Sequence, residues 1–228
     1  MSLITHTFII SDEKREPERV QYLKGFFDGK PNITYFQPTY KDTITQEELD
    51  IYVKDKWTQY GRPLKLSEIS LFLNFIYLFE KILEKYTDGN FLILESDVIF
   101  LANYEGYTKY LNDIVTKMNE SGIHGLSIGR GCNRDPPNIN HNHIGYQFVR
   151  ITGTRCTDSL IFSYTGIEKI YSYIKAFLSS GKSLNQPIDN FLDTYFSTNI
   201  DFYFVWVYPS ICIQGSQNGN YITTIQET

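Results

Sequence analysis

The sequence predicts an α/β domain, on three observations. Short apolar runs rich in β-branched and aromatic residues, among them His6–Ile10, Phe91–Phe100 and Phe202–Val207, are the kind that form strands buried on both faces. The longer segments between them repeat their apolar residues at helical spacing. The 228 residues suffice for one well-packed domain, and no Gly/Ser- or Pro-rich linker divides them. We expect a single domain over 1–228 in which a sheet is flanked by helices.

His6–Ile10 reads as the first strand, punctuated by Ser11-Asp12. A helix is expected from about Glu16 to Phe27, because Pro17 suits a first helical turn and Val20, Leu23, Phe26 and Phe27 make an apolar stripe. Asn32–Phe36 has the composition of a second strand. From Gln37 to Lys65 the pattern weakens to a polar connection holding one short helix near Gln46–Val53, and Gly61 and Pro63 break the segment that precedes them. An irregular stretch of that length reads as an active-site loop, 37–65. Leu66–Tyr86 is the strongest helix, with Ser67 as its expected cap. Its apolar residues, including Ile69, Phe72, Leu73, Ile76 and Phe79, lie on nearly every face, so it should be buried. Its polar members Glu68 and Asn74 then need partners.

Asp88-Gly89-Asn90 turns the chain into Phe91–Phe100. Tyr104–Asn119 comes next as an amphipathic helix and Gly125–Ile128 as a strand leading to Gly129-Arg130-Gly131. A second active-site loop is expected over 130–148, with Pro136-Pro137 and His141-Asn142-His143. Two His at i and i+2 can ligate a metal, but no third ligand stands at site-like spacing, so this stretch reads as exposed loop. Leu160–Tyr164 reads as a strand and Gly166–Leu178 as a helix. Pro187 and Asp189 suit a further helix start, and Phe202–Val207 and Ile211–Ile213 close the series as strands. The polar tail, 215–228, is expected to be partly mobile.

Composition excludes some functions. A net charge of −5 without any Lys/Arg run argues against a nucleic-acid partner. The 18 Tyr and 16 Phe suggest a large core and an aromatic-lined cleft. Cys132, Cys156 and Cys212 lack metal-site spacing, and their odd number gives no complete disulfide framework, which fits a reducing compartment. The apolar run in MSLITHTFIISDEKRE is too short for a signal peptide, and no stretch reaches the ~18 apolar residues of a membrane span. The expected location is cytoplasmic, without a membrane span.

The chemistry concentrates where Phe91–Phe100 is interrupted by Glu95-Ser96-Asp97. Buried carboxylates are costly unless they face a cation, a ligand or solvent, and the end of a core strand in an α/β sheet is where ligands bind. Strand alternation would point Glu95 and Asp97 to one side, if the strand continues that far. A Mg²⁺ or Mn²⁺ site for a nucleotide commonly uses one or two carboxylates, with phosphates and waters completing the shell. The alternative is that Glu95 ends the strand and Asp97 opens a turn. Asp189, near a helix start, is either an ordinary cap or a general base for an attacking hydroxyl. Arg62 and Lys65 could meet a diphosphate or be solvated loop charges.

Taken in order, several segments resemble glycosyltransferase family 25, which includes lipooligosaccharide and collagen galactosyltransferases. The family's Arg-containing segment after the first strand is matched by Arg15, Pro17, Glu18 and Arg19. Its Gly-Glu-Ile-Gly-Cys…Ser-His helix is matched by Ser67-Glu68-Ile69-Ser70-Leu71 and then Asn74-Phe75, without the Ser-His pair. Its Glu-Asp-Asp motif is matched by Glu95-Ser96-Asp97, with the middle acid replaced. Its Pro-x-Asp helix start and late Pro…Gln segment are matched by Pro187-Ile188-Asp189 and by Pro209 to Gln214. The resemblance spans roughly residues 6 to 214. It implies a GT-A-type, Rossmann-like mixed sheet and an inverting hexosyltransferase that uses Mn²⁺ (or Mg²⁺) and a nucleotide-sugar donor, with UDP-sugar first. The acceptor would be a hydroxyl of a glycan or glycoprotein. It further implies Asp97 and Glu95 as metal ligands, Asp189 as base, and Glu68 and Gln214 as residues that orient donor or metal; Ser96, within the matched acid motif, and Arg62, from its place on the loop, complete the expected donor-binding set. The lost Ser-His pair keeps open an inactive nucleotide-sugar or glycan-binding module.

Overall fold

In the computed structural model, which describes residues 3–37, 39–53, 61–154, 156–217 and 219–221, strands and helices alternate along the chain. The first part comprises β1 (His6–Ile10), α1 (Pro17–Phe26), β2 (Ile33–Phe36), α2 (Gln46–Tyr52) and α3 (Leu66–Lys85). The middle comprises β3 (Asn90–Glu95), β4 (Val98–Phe100), α4 (Tyr104–Glu120), β5 (Gly125–Ser127) and β6 (Gly129–Arg130). A 3₁₀ turn at Gly131–Asn133 leads to β7 (Gln147–Arg150), β8 (Ser159–Ser163), α5 (Tyr164–Ser179), α6 (Ile188–Thr198), β9 (Phe204–Tyr208) and β10 (Cys212–Gln214).

Seven strands form one mixed sheet in the order β2-β1-β3-β8-β5-β9-β7, and β4-β10-β6 form a small second sheet. β1 lies parallel to both β2 and β3, whereas β8 runs antiparallel between β3 and β5. The architecture is a mixed, Rossmann-like α/β sheet with helices on both faces.

Alternation along the central strands explains why both faces are covered. Phe8, Ile10, Phe91, Ile93, Leu160 and Phe162 face a layer built from α3, α5 and α6. Their neighbours Ile9, Leu92, Leu94 and Ile161 pack with residues of α1 and α4. Each such side chain contributes about 1.5–3 kcal/mol when fully buried. A one-residue slip of β3 would exchange its two sets, so these layers fix the register Ile10↔Glu95, which sets where the first acid of Glu95-Ser96-Asp97 emerges.

The buried polar residues of α3 dock the preceding connection onto it. Asn74 Oδ1 accepts from the Thr39 backbone N–H at 3.2 Å, and Asn74 Nδ2 donates to the Thr39 carbonyl at 3.1 Å. Ser70 Oγ adds a third bond to that carbonyl. Residues 54–60 of the expected loop 37–65 lie outside the described residues, as do 222–228 of the tail expected to be mobile. Where described, the tail turns back, with the Asn220 and Tyr221 N–H groups both donating to the Gly215 carbonyl.

Four expectations are corrected. Phe91–Phe100 is not one strand: β3 ends at Glu95, Ser96-Asp97 turn, and β4 enters the small sheet, so alternation does not relate Glu95 to Asp97. α3 is entered at Lys65, not capped by Ser67; the Lys65 N–H donates to Glu68 Oε2 at 2.8 Å. Gln147–Arg150, which begins inside the expected loop 130–148 and is not among the expected strands, pairs with β9 as an edge strand. Cys132 and Cys156 form a disulfide and Cys212 is a buried cysteine outside it, so the odd number concealed one complete bridge. His141 and His143 are exposed, as expected. No helix among the described residues is long and apolar enough to cross a membrane.

Candidate functional site

In open α/β sheets, ligands bind beyond the carboxyl ends of parallel strands, where successive connections leave in opposite directions. Here the chain passes from β1 to β2 on one side and then returns to β3 on the other, so the switch point lies between β1 and β3. A cavity of about 410 Å³ opens there, lined by Ile10 and Ser11 from the first strand's end and Glu95 and Ser96 from the third's. Every residue of the expected metal, base and donor-binding set lines it: Arg62, Glu68, Glu95, Ser96, Asp97, Asp189 and Gln214. Lys65 is absent from its wall.

Asp97 is held from the C-terminal side of the chain. Because β10 pairs antiparallel with β4, Gln214 lies opposite Val98. The Gly215 N–H donates to the Asp97 carbonyl at 2.6 Å, and Ser216 Oγ donates to Asp97 Oδ2. Asp97 is only 5% exposed, yet its Oδ1 is buried without a hydrogen-bond partner among the described residues. Orphaned carboxylate oxygens are rare in folded proteins because each loses its hydration without replacement. A Cβ on Gly215 would lie 2.8 Å from the Asp97 carbonyl, so glycine is what allows this turn to approach so closely.

Glu95 sits at the cavity with Oε1 accepting from Thr157 Oγ1 at 2.6 Å. Burial, and then the neighbouring charge of Asp97, push its carboxyl up to about 8. Asp189 lies in the first turn of α6, where the Asn190 N–H donates to its Oδ1 at 2.8 Å. Burial raises its pKa too, and the charge of Glu68 adds to this. Among the described residues none of these three carboxylates is ion-paired.

Glu68 is different. Arg62 grips it with two nitrogens, at 2.8 and 2.5 Å, and the Lys65 N–H bonds it as well. Burial alone would raise its pKa, but the Arg62 hydrogen bonds and the Lys65 N–H outweigh this and lower it. Glu68 is therefore a charged, satisfied carboxylate that orients Arg62 at the cavity wall.

Sequence reasoning gave no individual site role to several lining residues. Arg19, 8% exposed, donates to Glu16 at 2.8 Å and approaches Ser96 Oγ at 3.4 Å. Its i, i+3 spacing from Glu16 was a readable clue. Tyr40 and Lys41 reach the cavity because Asn74 docks Thr39, and Thr157, Ser216 and the Cys132–Cys156 bridge line it with no local sequence mark.

The donor set suits a hard divalent cation. Such ions take carboxylate oxygens together with substrate phosphates and water, and Asp97 Oδ1, with no hydrogen-bond partner among the described residues, is a carboxylate oxygen of that kind. Among the described residues no cluster of three or more His, Cys, Asp or Glu could hold a metal by itself. The remaining ligands would have to come from substrate and solvent, as in nucleotide sites. The chain matches no protein-family model and no curated protein.

Proposed function

We propose that this chain is a metal-dependent inverting glycosyltransferase that moves a sugar from a nucleotide diphosphate donor, UDP-hexose first, to a hydroxyl of a glycan or glycoprotein. One observation carries most weight. Three carboxylates that have no ion pair among the described residues, one of them with a buried oxygen that has no hydrogen-bond partner among them, surround a single cavity at the switch point of the sheet. The family 25 resemblance supports the same reading, since Glu68, Glu95, Asp97, Asp189 and Gln214, each within a matched segment, line that cavity.

In this reading Asp97 and Glu95 would hold Mn²⁺ or Mg²⁺, which when bound would offset the negative charge that develops on the departing diphosphate. Gln214 and Ser216 support the Asp97 side of the site. Arg19, paired with Glu16 beside Ser96, and Arg62, paired with Glu68, line the cavity and would be the guanidinium donors for the phosphates. Asp189 accepts the proton of the acceptor hydroxyl as that oxygen bonds to the anomeric carbon. The bond from that carbon to the phosphate oxygen breaks, and its electron pair leaves with the nucleoside diphosphate. The raised pKa of Asp189 suits a base, because a base of very low pKa has little affinity for the proton.

The test is incubation with Mn²⁺ and a panel of UDP- and GDP-sugars, following donor binding and slow donor hydrolysis. Hydrolysis that disappears in Asp97→Ala is expected. A protein that neither binds nor hydrolyses any donor overturns the reading. Metal-dependent donor binding with no turnover on any acceptor would instead mark a binding module.

A further inference from the structure

We propose that Thr157 is a positioning residue that sets the Glu95 carboxylate for metal, an inference that rests on Glu95 and Asp97 being the metal-holding pair. Thr157 is 3% exposed and lines the cavity, and its hydroxyl donates to Glu95 Oε1 at 2.6 Å. A donor fixed on one carboxylate oxygen limits rotation of the group and leaves Oε2 as the oxygen for a ligand.

The segment that carries Thr157 is anchored on both sides. Before it, the Gly153 carbonyl accepts from Trp206 Nε1 at 2.6 Å, and the Thr154 N–H donates to Asp193 Oδ1 on α6. Cys156, the adjacent residue, is bonded to Cys132. After it, the Asp158 carbonyl accepts the Glu95 N–H at 2.8 Å, so the backbone of Glu95 and its side chain are held by consecutive residues. The Cys132 N–H reaches Gln214 Oε1 at 3.5 Å, and Gln214 lies opposite Val98, next to Asp97. The disulfide thereby links the support of Glu95 to that of Asp97, and Thr157 is the link that touches the carboxylate. A threonine at this point has a function that valine, of nearly the same shape, cannot supply.

Thr157→Val and Thr157→Ser separate the hydroxyl from the shape. In calorimetric titration of Mn²⁺ with UDP present, Thr157→Val should weaken metal binding about 10-fold or more, while Thr157→Ser stays within about threefold of the parent. Metal-free crystal structures supply the second readout: the Glu95 carboxylate should leave its parent position in Thr157→Val and keep it in Thr157→Ser. A Glu95 carboxylate that stays in place in Thr157→Val overturns the proposal whether or not metal binds. Equal Mn²⁺ affinity of the parent and Thr157→Val does the same. A parent that binds no Mn²⁺ with UDP instead overturns the metal reading, and the structures still decide the positioning role.

Discussion

Glu68 and the Glu95–Asp97 pair line the same cavity but are built in opposite ways. Glu68 is closed: a guanidinium fork and a backbone N–H satisfy its oxygens and keep its pKa low. Glu95 and Asp97 have only hydroxyl donors on their carboxylates, Thr157 and Ser216, and no cation among the described residues. A carboxylate with its own arginine gives the fold a fixed charge. One kept away from arginine bears a desolvation cost that a bound cation would relieve. Asp189 belongs to the second kind, held by the Asn190 N–H and raised by burial.

The largest expected effect that sharpens this contrast is at Asp189. Asp189→Asn should lower turnover by about 10²–10⁴-fold while donor and Mn²⁺ binding persist, since general bases contribute on that order. The same change should raise the melting temperature at pH 7. The folded-state pKa of Asp189 lies above its unfolded value, so the penalty is absent below about pH 4. It grows as pH rises through the folded pKa, and is complete above it. Melting curves of the two proteins should therefore converge at acid pH. A gap that persists there would show that something other than ionisation is responsible.

Breaking the closed side comes next. Arg62→Ala leaves Glu68 charged and mostly buried, and should cost about 1–3 kcal/mol in denaturant unfolding. The low end is expected because the Arg62 side chain is 41% exposed and partly screened. A double change of Arg62 and Glu68 to Met should recover most of that loss, because an apolar pair leaves no stranded charge.

Gly215→Ala tests the other support. Its Cβ would press on the Asp97 carbonyl and the Tyr221 ring, displacing the turn that carries Ser216. Mn²⁺ affinity should fall several-fold, with a stability loss of about 1–3 kcal/mol. The smallest effect is expected from reducing Cys132–Cys156 with a dithiol, since Trp206 and Asp193 still hold the Thr157 segment. Metal affinity should drop by less than about 10-fold.

The contrast also shows what could be read from the residues alone. β1 and β3 were legible because strands buried on both faces are continuous apolar runs, and α3 because its apolar residues encircle it. β7 was not, because Gln147–Arg150 is a short edge strand ending in a charge. The acids Glu95, Asp97 and Asp189 stood out by interrupting apolar or helix-start patterns. The alternation that would have joined the first two failed because the chain leaves the main sheet at Ser96. What makes them a site is long-range: β10 pairing brings Gln214 and Ser216 to Asp97, and the Thr157 segment reaches Glu95 across 62 residues. Such contacts leave no periodicity. Glu68 shows the converse limit, since only the structure reveals that Arg62 is its partner.

The most direct test of the contrast is Mn²⁺ binding in the presence of UDP, measured by electron paramagnetic resonance on the parent, Asp97→Ala and Glu68→Gln. The account predicts that Asp97→Ala loses the bound Mn²⁺ signal, with affinity down on the order of 10²-fold, while folded Glu68→Gln keeps it within about threefold. Equal Mn²⁺ binding by the parent and Asp97→Ala, or loss confined to Glu68→Gln, would contradict it.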